Sequence, residues 1–339
     1  MGDKTVNEGL RMNKSLLYFF GAGASVQALP LGSGLAARIA QFTIELEHVH
    51  PQDASSDPEK AKLWGGSRQK LCEALRWLAE EASRHASVDT FAKKLFFRHD
   101  RANLKKLKSA LSAFLVIEQS QKPLDKRYDS FLATILEFNS QYQACFPPDL
   151  RIITWNYDTQ LEKAFYGFCE DKNHVIDSVT FNERIYRVNG YCGTSQPGHV
   201  GQPFQAVLNS ISDTIWEAGI TLYEECMHDP SSPEPDIRFA WEEPTQNRLA
   251  NSRLNLSEVS AVVIIGYSFP YFNREIDHVL FARLSDSQVR RIYLQYPVGV
   301  HSSVETRLRS LLLRKDIEVV HIPSSDIDPF YIPDELWQI

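Results

Sequence analysis

Short apolar runs alternate with longer amphipathic stretches along this chain of 339 residues. The runs are rich in β-branched and aromatic residues, and several of them stop at Gly, Asn, Asp or Ser. Continuous apolar runs of this length are typical of strands that are buried on both faces of a parallel sheet. The segments that we interpret as strands are 15–20, 151–155, 184–188, 259–265, 291–295 and 317–322.

Apolar residues at three- and four-residue spacing predict the helices. This spacing dominates residues 70–146, where Pro147-Pro148 ends it, so we expect a helical insertion there. Residues 193–258 are mixed and rich in Pro, Ser, Asp and Glu, and they predict no defined element. The other predicted helices cover 34–49, 160–169, 275–284 and 304–313.

A strand, a loop with two glycines and a helix open the chain, which is typical of a nucleotide-binding βα unit. We therefore predict an α/β fold, with a Rossmann-like, mostly parallel sheet flanked by helices and carrying a helical insertion. The predicted core covers 14–50 and 150–325, a helical module covers 51–149, and 326–339 form a C-terminal tail.

Composition favours a globular, cytoplasmic protein. Hydrophobic residues make up 43% and charged residues 23% of the chain. The net charge of -7 gives no electrostatic footprint for phosphate backbones, so we expect no direct nucleic-acid binding. The five cysteines form no C-x-x-C pair and no signal peptide precedes the first apolar run, which favours free thiols in a reducing cytoplasm. The apolar runs are too short to span a bilayer, so we expect no membrane insertion.

Four of the predicted strands end in glycine or polar residues, at 21–25, 154–158, 189–191 and 266–268. Because open parallel sheets bind ligands at the carboxyl ends of their strands, we expect these loops to converge on one crevice. The first loop has two interpretations: its glycines let the backbone approach a pyrophosphate, or they form a tight turn without a ligand. Val26 stands where the dinucleotide-binding pattern has a third glycine.

Two of the polar residues also have structural interpretations. Asn156 can form an Asx turn at the end of its strand, and Ser268 can cap the helix that follows it. We expect a ligand-binding role for Asn156, because it and Asp158 follow a buried strand at the edge where ligands bind. For Ser268, capping and phosphate binding do not exclude each other.

The order of these motifs resembles that of sirtuin-like proteins. The resemblance is greatest to the bacterial branch whose members act as NAD-consuming effectors of antiphage defence. It implies a Rossmann-like sheet with a small helical module, and NAD as the substrate. The matching segments are Gly21-Ala22-Gly23-Ala24-Ser25, Thr154-Trp155-Asn156-Tyr157-Asp158, Asn189-Gly190 and Gly266-Tyr267-Ser268-Phe269.

The resemblance also implies roles for individual residues. Asn156 and Asp158 would face the nicotinamide ribose, and with Asn189 they form the predicted catalytic group. Gly266 and Ser268 would contact the adenosine half. The residues expected to hold the NAD phosphates and the nearby ribose are Gly21, Ala22, Gly23 and Ser25.

Two departures from the family pattern change the expected chemistry. The sequence lacks the two C-x-x-C pairs that form the zinc ribbon of sirtuin deacylases, so we expect no metal and no protein deacylation. Asn189 stands where the family has a catalytic histidine, and an amide cannot take up a proton at neutral pH. A histidine base at this position is therefore excluded, and His174 or His199 from elsewhere in the chain is an alternative.

Cleavage of NAD does not depend wholly on such a base. Nicotinamide leaves the ribose C1′ as a neutral molecule, and the transition state resembles an oxocarbenium ion. A general base adds on the order of 10²–10⁴-fold to the rate. Hydrolysis can therefore continue with Asn189 orienting water and Asp158 acting as a carboxylate or base.

We expect an NAD hydrolase that releases nicotinamide and ADP-ribose and acts in antiphage defence by depleting NAD. By resemblance, a homo-oligomer, a partner defence protein or both would control its activity. Two alternatives stay open. The first, which Asn189 favours, is a catalytically weak or inactive subunit that binds NAD or ADP-ribose within a larger defence complex. The second is a transferase that moves ADP-ribose to a protein or nucleic acid.

Overall fold

The structure is a computed structural model that describes residues 15–49, 58–170, 184–193, 214–229, 231–242, 254–325 and 328–338. The strands are β1 (Ser15–Phe20), β2 (Glu137–Phe138), β3 (Ala144–Cys145), β4 (Leu150–Thr154), β5 (Ile185–Arg187), β6 (Val259–Ile265), β7 (Arg291–Tyr296) and β8 (Glu318–Pro323). The helices are α1 (Leu35–Glu47), α2 (Pro58–Arg84), α3 (Val88–Phe97), α4 (Arg101–Gln121), α5 (Lys126–Ile135), α6 (Gln160–Tyr166), α7 (Thr214–Met227), α8 (Arg274–Ser285) and α9 (His301–Arg309).

A six-stranded sheet in the order β5-β4-β1-β6-β7-β8 forms the centre of the fold. Every pair of neighbouring strands in it is parallel. Within β1, Phe20 pairs with Thr154 on one side and with Ile265 on the other. The carboxyl ends of β1, β4 and β6 therefore lie side by side. The predicted α/β fold with a Rossmann-like parallel sheet is confirmed.

β1 is buried along its whole length because both faces of the sheet are covered. Successive side chains of a strand point to opposite faces. Tyr18 packs against Phe131 of α5 with ring centroids 4.7 Å apart, whereas Phe19 packs against Phe281 of α8 at 5.8 Å. A strand between two apolar layers needs apolar residues at every position, which is why this segment shows no alternation with polar residues.

Helices α1–α4 and α7 pack around an apolar core of their own, and we call them the helical block. Phe42 of α1 lies 5.0 Å from Phe114 of α4 and 5.4 Å from Trp216 of α7, between ring centroids. Helix α5 instead packs on the sheet through Phe131. The helices that share a core thus differ from the predicted module 51–149, because α1 and α7 join them and α5 does not.

The predicted helices and strands are present with shifted ends. Helix α9 begins at His301, three residues before the predicted start. Helix α7 lies in the segment 193–258, where the sequence predicted no defined element. The described part of the C-terminal tail docks on the sheet, since Phe330 is buried and Gln295 donates to the Pro329 carbonyl at 2.8 Å. No described helix is both long and apolar enough to cross a membrane.

Candidate functional site

A cavity of about 420 Å³ opens between the carboxyl edge of the sheet and the helical block. All four of the loops that were predicted to converge contribute to its wall. The predicted site residues that line it are Ala22, Ser25, Asn156, Asp158, Asn189, Gly266 and Ser268. The parallel register of the strands places these loops together, so the predicted crevice is present.

Gly21 and Gly23 are not among the residues that line the cavity in the described chain. Their N–H groups donate to the carbonyls of Ile265 at 2.9 Å and Gly266 at 3.0 Å. A Cβ on Gly21 would lie 2.5 Å from the Tyr267 Cα, and one on Gly23 would lie 2.7 Å from the Gly266 Cα. Both glycines therefore allow two strand-end loops to touch, and Ala22 and Ser25 present the first loop to the cavity.

Position 266 requires a glycine for two reasons. Its φ of 65° lies in the left-handed region, and a Cβ there would lie 2.5 Å from the Gly23 backbone. Phe269, three residues later, also has a left-handed φ of 51°. Its ring packs against Tyr267 and Phe281, which holds this unfavourable backbone in place.

A buried ion pair at the start of α5 holds the loop after β1 in place. Arg127 pairs with Asp125 at 2.6 Å and donates a further hydrogen bond to the Gly23 carbonyl at 3.0 Å. Asp125 also accepts from the backbone N–H of Gln27 at 3.3 Å. Because both charged groups are buried and bonded, the conformation of the loop is fixed before any ligand arrives.

Asn156 reaches across the cavity wall instead of forming an Asx turn. Its Nδ2 donates to the Ser25 Oγ at 3.2 Å, and its backbone N–H donates to the Thr154 hydroxyl at 3.1 Å. The Ser25 hydroxyl also lies 3.2 Å from the Tyr128 hydroxyl. The amide of Asn156 is thereby held at the junction of the β1 and β4 loops.

Asp158 forms the local turn that was considered for Asn156. Its Oδ1 accepts from the backbone N–H of Gln160 at 3.0 Å, and Ser25 also hydrogen-bonds to its carboxylate. Burial raises the pKa of Asp158 above its ordinary value, while these hydrogen bonds and the nearby Arg187 act against the shift. The carboxyl group of Asp158 is therefore already engaged in hydrogen bonds within the protein.

Arg187 lies beneath the site and not at its surface. It forms an ion pair with the buried Glu162, and its Nη1 donates to the backbone carbonyl of Asp158 at 3.1 Å. Burial lowers the pKa of Arg187. Within the described cavity wall there is no Lys, Arg or His side chain, so the charged groups that face the cavity are acidic.

Asn189 carries an unsatisfied acceptor. Its Nδ2 donates to the Trp155 carbonyl at 2.9 Å, which fixes the orientation of the amide. Its Oδ1 is buried and has no hydrogen-bond partner in the described part of the chain, and the side chain is 6% exposed. A buried acceptor without a donor costs roughly 1–3 kcal/mol. This carbonyl can accept a hydrogen bond from a water or ligand in the cavity.

The loop after β6 is anchored by a buried polar network. Tyr267 stacks on Trp155 at 4.8 Å between ring centroids, and its hydroxyl donates to Asp277 at 3.0 Å. Burial raises the pKa of Asp277 to about 8. Helix α8 begins at Arg274 with Asn273 at its cap position, so Ser268 does not cap this helix.

The helical block supplies a wall of the cavity that the sequence did not predict. Leu111 and Leu115 of α4 line it, together with Ser87 and Asp89 at the start of α3. The sequence contains a signal for a helix start at Ser87, but none that places this start opposite the sheet. Burial raises the pKa of Asp89 to about 6.

Two other predicted participants fall on parts of the chain that the structure does not describe. His174 and His199 lie outside the described residues. Within the described chain no group of three or more His, Cys, Asp or Glu side chains could hold a metal ion.

Comparisons with protein-family models, curated proteins and solved structures found no match to this chain. The functional interpretation therefore rests on the residues of the cavity.

Proposed function

We propose that the cavity binds NAD and that the chain hydrolyses the bond between nicotinamide and ribose. The observation that carries this proposal is the convergence of Ser25, Asn156 and Asn189 on one cavity at the carboxyl edge of the sheet. These side chains offer a hydroxyl and two amides, which suit the hydroxyl groups of a ribose. Open α/β sheets bind nucleotides at this position.

The charge of the cavity favours the nicotinamide end of the dinucleotide. Asp89 and Asp158 line the wall beside the aromatic rings of Trp155, Tyr157 and Phe239. Carboxyl groups and ring faces attract a cation, and the nicotinamide ring of NAD is a cationic pyridinium. Positive charge also develops at C1′ as the bond breaks, so acidic groups at this wall would stabilise the transition state.

The reaction needs one water and no acid for the leaving group. The C1′–N bond breaks with its electron pair passing to the ring nitrogen, which releases neutral nicotinamide. A bond forms between the water oxygen and C1′, and the proton that the water loses passes to the solvent. The Oδ1 of Asn189, which has no hydrogen-bond partner among the described residues, can accept a hydrogen bond from this water and orient it. Asn156, held by Ser25, can bind the ribose hydroxyls.

A second candidate is a subunit that binds NAD or ADP-ribose without turnover. Two observations favour it. Asn189 cannot act as a base, and the carboxylate of Asp158 already accepts the Gln160 N–H. Asn156 is also an amide, so Asp158 is the one member of the predicted catalytic group that could act as a base, and hydrogen bonds already engage its carboxylate.

The resemblance to sirtuin-like proteins adds two expectations to this proposal. The first is a role in antiphage defence, and the second is control by oligomerisation or a partner protein.

The test is incubation of the purified protein with NAD, with nicotinamide and ADP-ribose separated by chromatography. We expect release by the parent protein, its loss in Asn156→Ala, and no change in the control Asn255→Ala, which alters an exposed turn. Activity that appears only in Asn189→His would support the binding subunit. No release together with no NAD binding by calorimetry would contradict both candidates.

A further inference from the structure

The helical block brings to the cavity a carboxyl group that lies outside the strand-end motifs. Asp89 is in the first turn of α3 and lines the same cavity as Asn156, Asp158 and Asn189. Asp89 lies 67 positions before Asn156 and 100 positions before Asn189 in the chain, so their meeting is a result of the fold. It gives the site a second carboxylate, on the wall that faces the sheet.

Asp89 is not needed to cap its helix. The Ser87 hydroxyl already accepts from the Thr90 N–H at 3.1 Å, which satisfies the usual N-cap position. Burial and a hydrogen bond from its own backbone N–H are what shift the pKa of the Asp89 carboxyl, and no side chain of the described residues contributes to that shift. The carboxyl therefore keeps lone pairs that can accept a proton or a hydrogen bond from the cavity.

The two carboxyl groups of the cavity, Asp89 and Asp158, differ in their hydrogen-bond partners. Asp158 accepts bonds from Gln160 and Ser25 and lies near Arg187. Among the described residues, the Asp89 carboxyl accepts a hydrogen bond from its own backbone N–H alone. A group that takes a proton from water during catalysis must have a lone pair available at the reacting position. Hydrogen bonds occupy fewer of the lone-pair sites of Asp89 than of Asp158.

The electrostatic surroundings of Asp89 suit a base at neutral pH. Its pKa of about 6 results from burial, which disfavours the charged form. Titratable groups on the neighbouring elements include Glu81 and Arg84 at the end of α2, His85 after it, Lys93 and Lys94 on α3, and Asp158 on the sheet side. None of them contributes to this shift. At pH 7 the group is mostly ionised and yet basic enough to accept a proton, which is the range that favours general-base catalysis.

We infer that Asp89 is the general base of the hydrolysis, an inference that rests on the proposed function. The water that Asn189 orients transfers its proton to the Asp89 carboxylate as its oxygen bonds to C1′. The C1′–N pair of electrons leaves with nicotinamide, and Asp89 returns the proton to solvent afterwards. The helical block thus completes the catalytic group, and Asn189 needs no basicity.

The experiment compares Asp89→Asn with Asp129→Asn across about pH 5 to 8.5, with nicotinamide release as the readout. Asp129 is a matched control, since it lies in the first turn of α5 and is exposed away from the cavity. We expect kcat of the parent to rise with an apparent pKa near 6 and then level off. Asp89→Asn should lower kcat by about 10²–10⁴-fold, change KM by less than about threefold and remove the rise with pH.

Chemical rescue separates a base from a merely structural group. In Asp89→Gly, added formate should restore part of kcat, because a small carboxylate can occupy the vacated space. Asp89→Asn that keeps the parent kcat and pH profile, in an active enzyme, would overturn the inference and leave the proposed hydrolysis intact. A parent that binds NAD but releases no nicotinamide would instead refute the hydrolysis, and the inference with it.

Discussion

The contact between the β1 and β6 loops makes Gly266→Ala the most direct test of how the site is built. The substitution places a Cβ 2.5 Å from the Gly23 backbone at a φ of 65°. A left-handed conformation costs an alanine roughly 1–2 kcal/mol. Separating two packed loops costs about 1–3 kcal/mol more. We therefore expect Gly266→Ala to lower the free energy of unfolding by about 2–5 kcal/mol.

The assay is urea unfolding followed by tryptophan fluorescence, since Trp155 stacks on the Tyr267 ring beside the altered residue. Gly299→Ala is the matched control, because it lies in the loop after β7 and a Cβ there meets no atom within 4 Å. We expect the control to differ from the parent by less than about 1 kcal/mol. A Gly266→Ala protein as stable as the control would refute the argument that this glycine is needed for loop contact.

Two further variants test the buried charges around the site. Because the folded pKa of Asp277 is raised to about 8, the folded state holds a proton that the unfolded state releases above about pH 4, so stability falls as pH rises from about 4 to 8. Asp277→Asn should flatten this decrease, and thermal unfolding across that pH range measures it. Arg127→Ala leaves Asp125 charged, buried and unpaired, so we expect a loss of about 3–5 kcal/mol in urea unfolding. Asp125→Asn combined with Arg127→Ala should recover part of that loss.

The sheet and the convergence of its loops were predictable because both follow from local patterns. A strand buried on two faces needs an unbroken apolar run, as at Val259–Ile265, and a parallel sheet brings the carboxyl ends of such strands to one edge. Gly21, Asn156, Asn189 and Gly266 follow directly after strands, so their placement near that edge required no knowledge of tertiary contacts.

The helical block was not predictable in the same way. Its core depends on contacts such as that between Phe42 and Trp216, which are 174 positions apart and carry no local signal of their pairing. Helix α7 lies in a segment whose composition resembles a loop. For the same reason the sequence did not place Asp89 in the cavity, since its position depends on how α3 packs against α4.

Gly21 and Gly23 show a second limit to what the sequence can predict. The sequence identified Gly21 and Gly23 as positions where a backbone is approached closely, and the structure shows a close approach at both. The approaching group is the β6 loop, with Gly266 fitting against Gly23. A missing Cβ indicates that something lies near, and sequence alone does not distinguish a ligand from another loop.

Several unfavourable features lie around this one cavity. Gly266 and Phe269 have left-handed backbones, the Asn189 carbonyl is buried without a donor in the described chain, and Asp89 and Asp158 have raised pKa values. Each of them lowers the stability of the fold. If this edge of the sheet had only a structural role, replacing these residues would make the fold more stable. A site that binds and polarises a ligand instead needs polar groups whose hydrogen bonds and charges are satisfied by the ligand. This clustering supports a binding or catalytic role for the cavity, and saturating NAD should therefore raise the unfolding temperature of the parent more than that of Asn189→Ala.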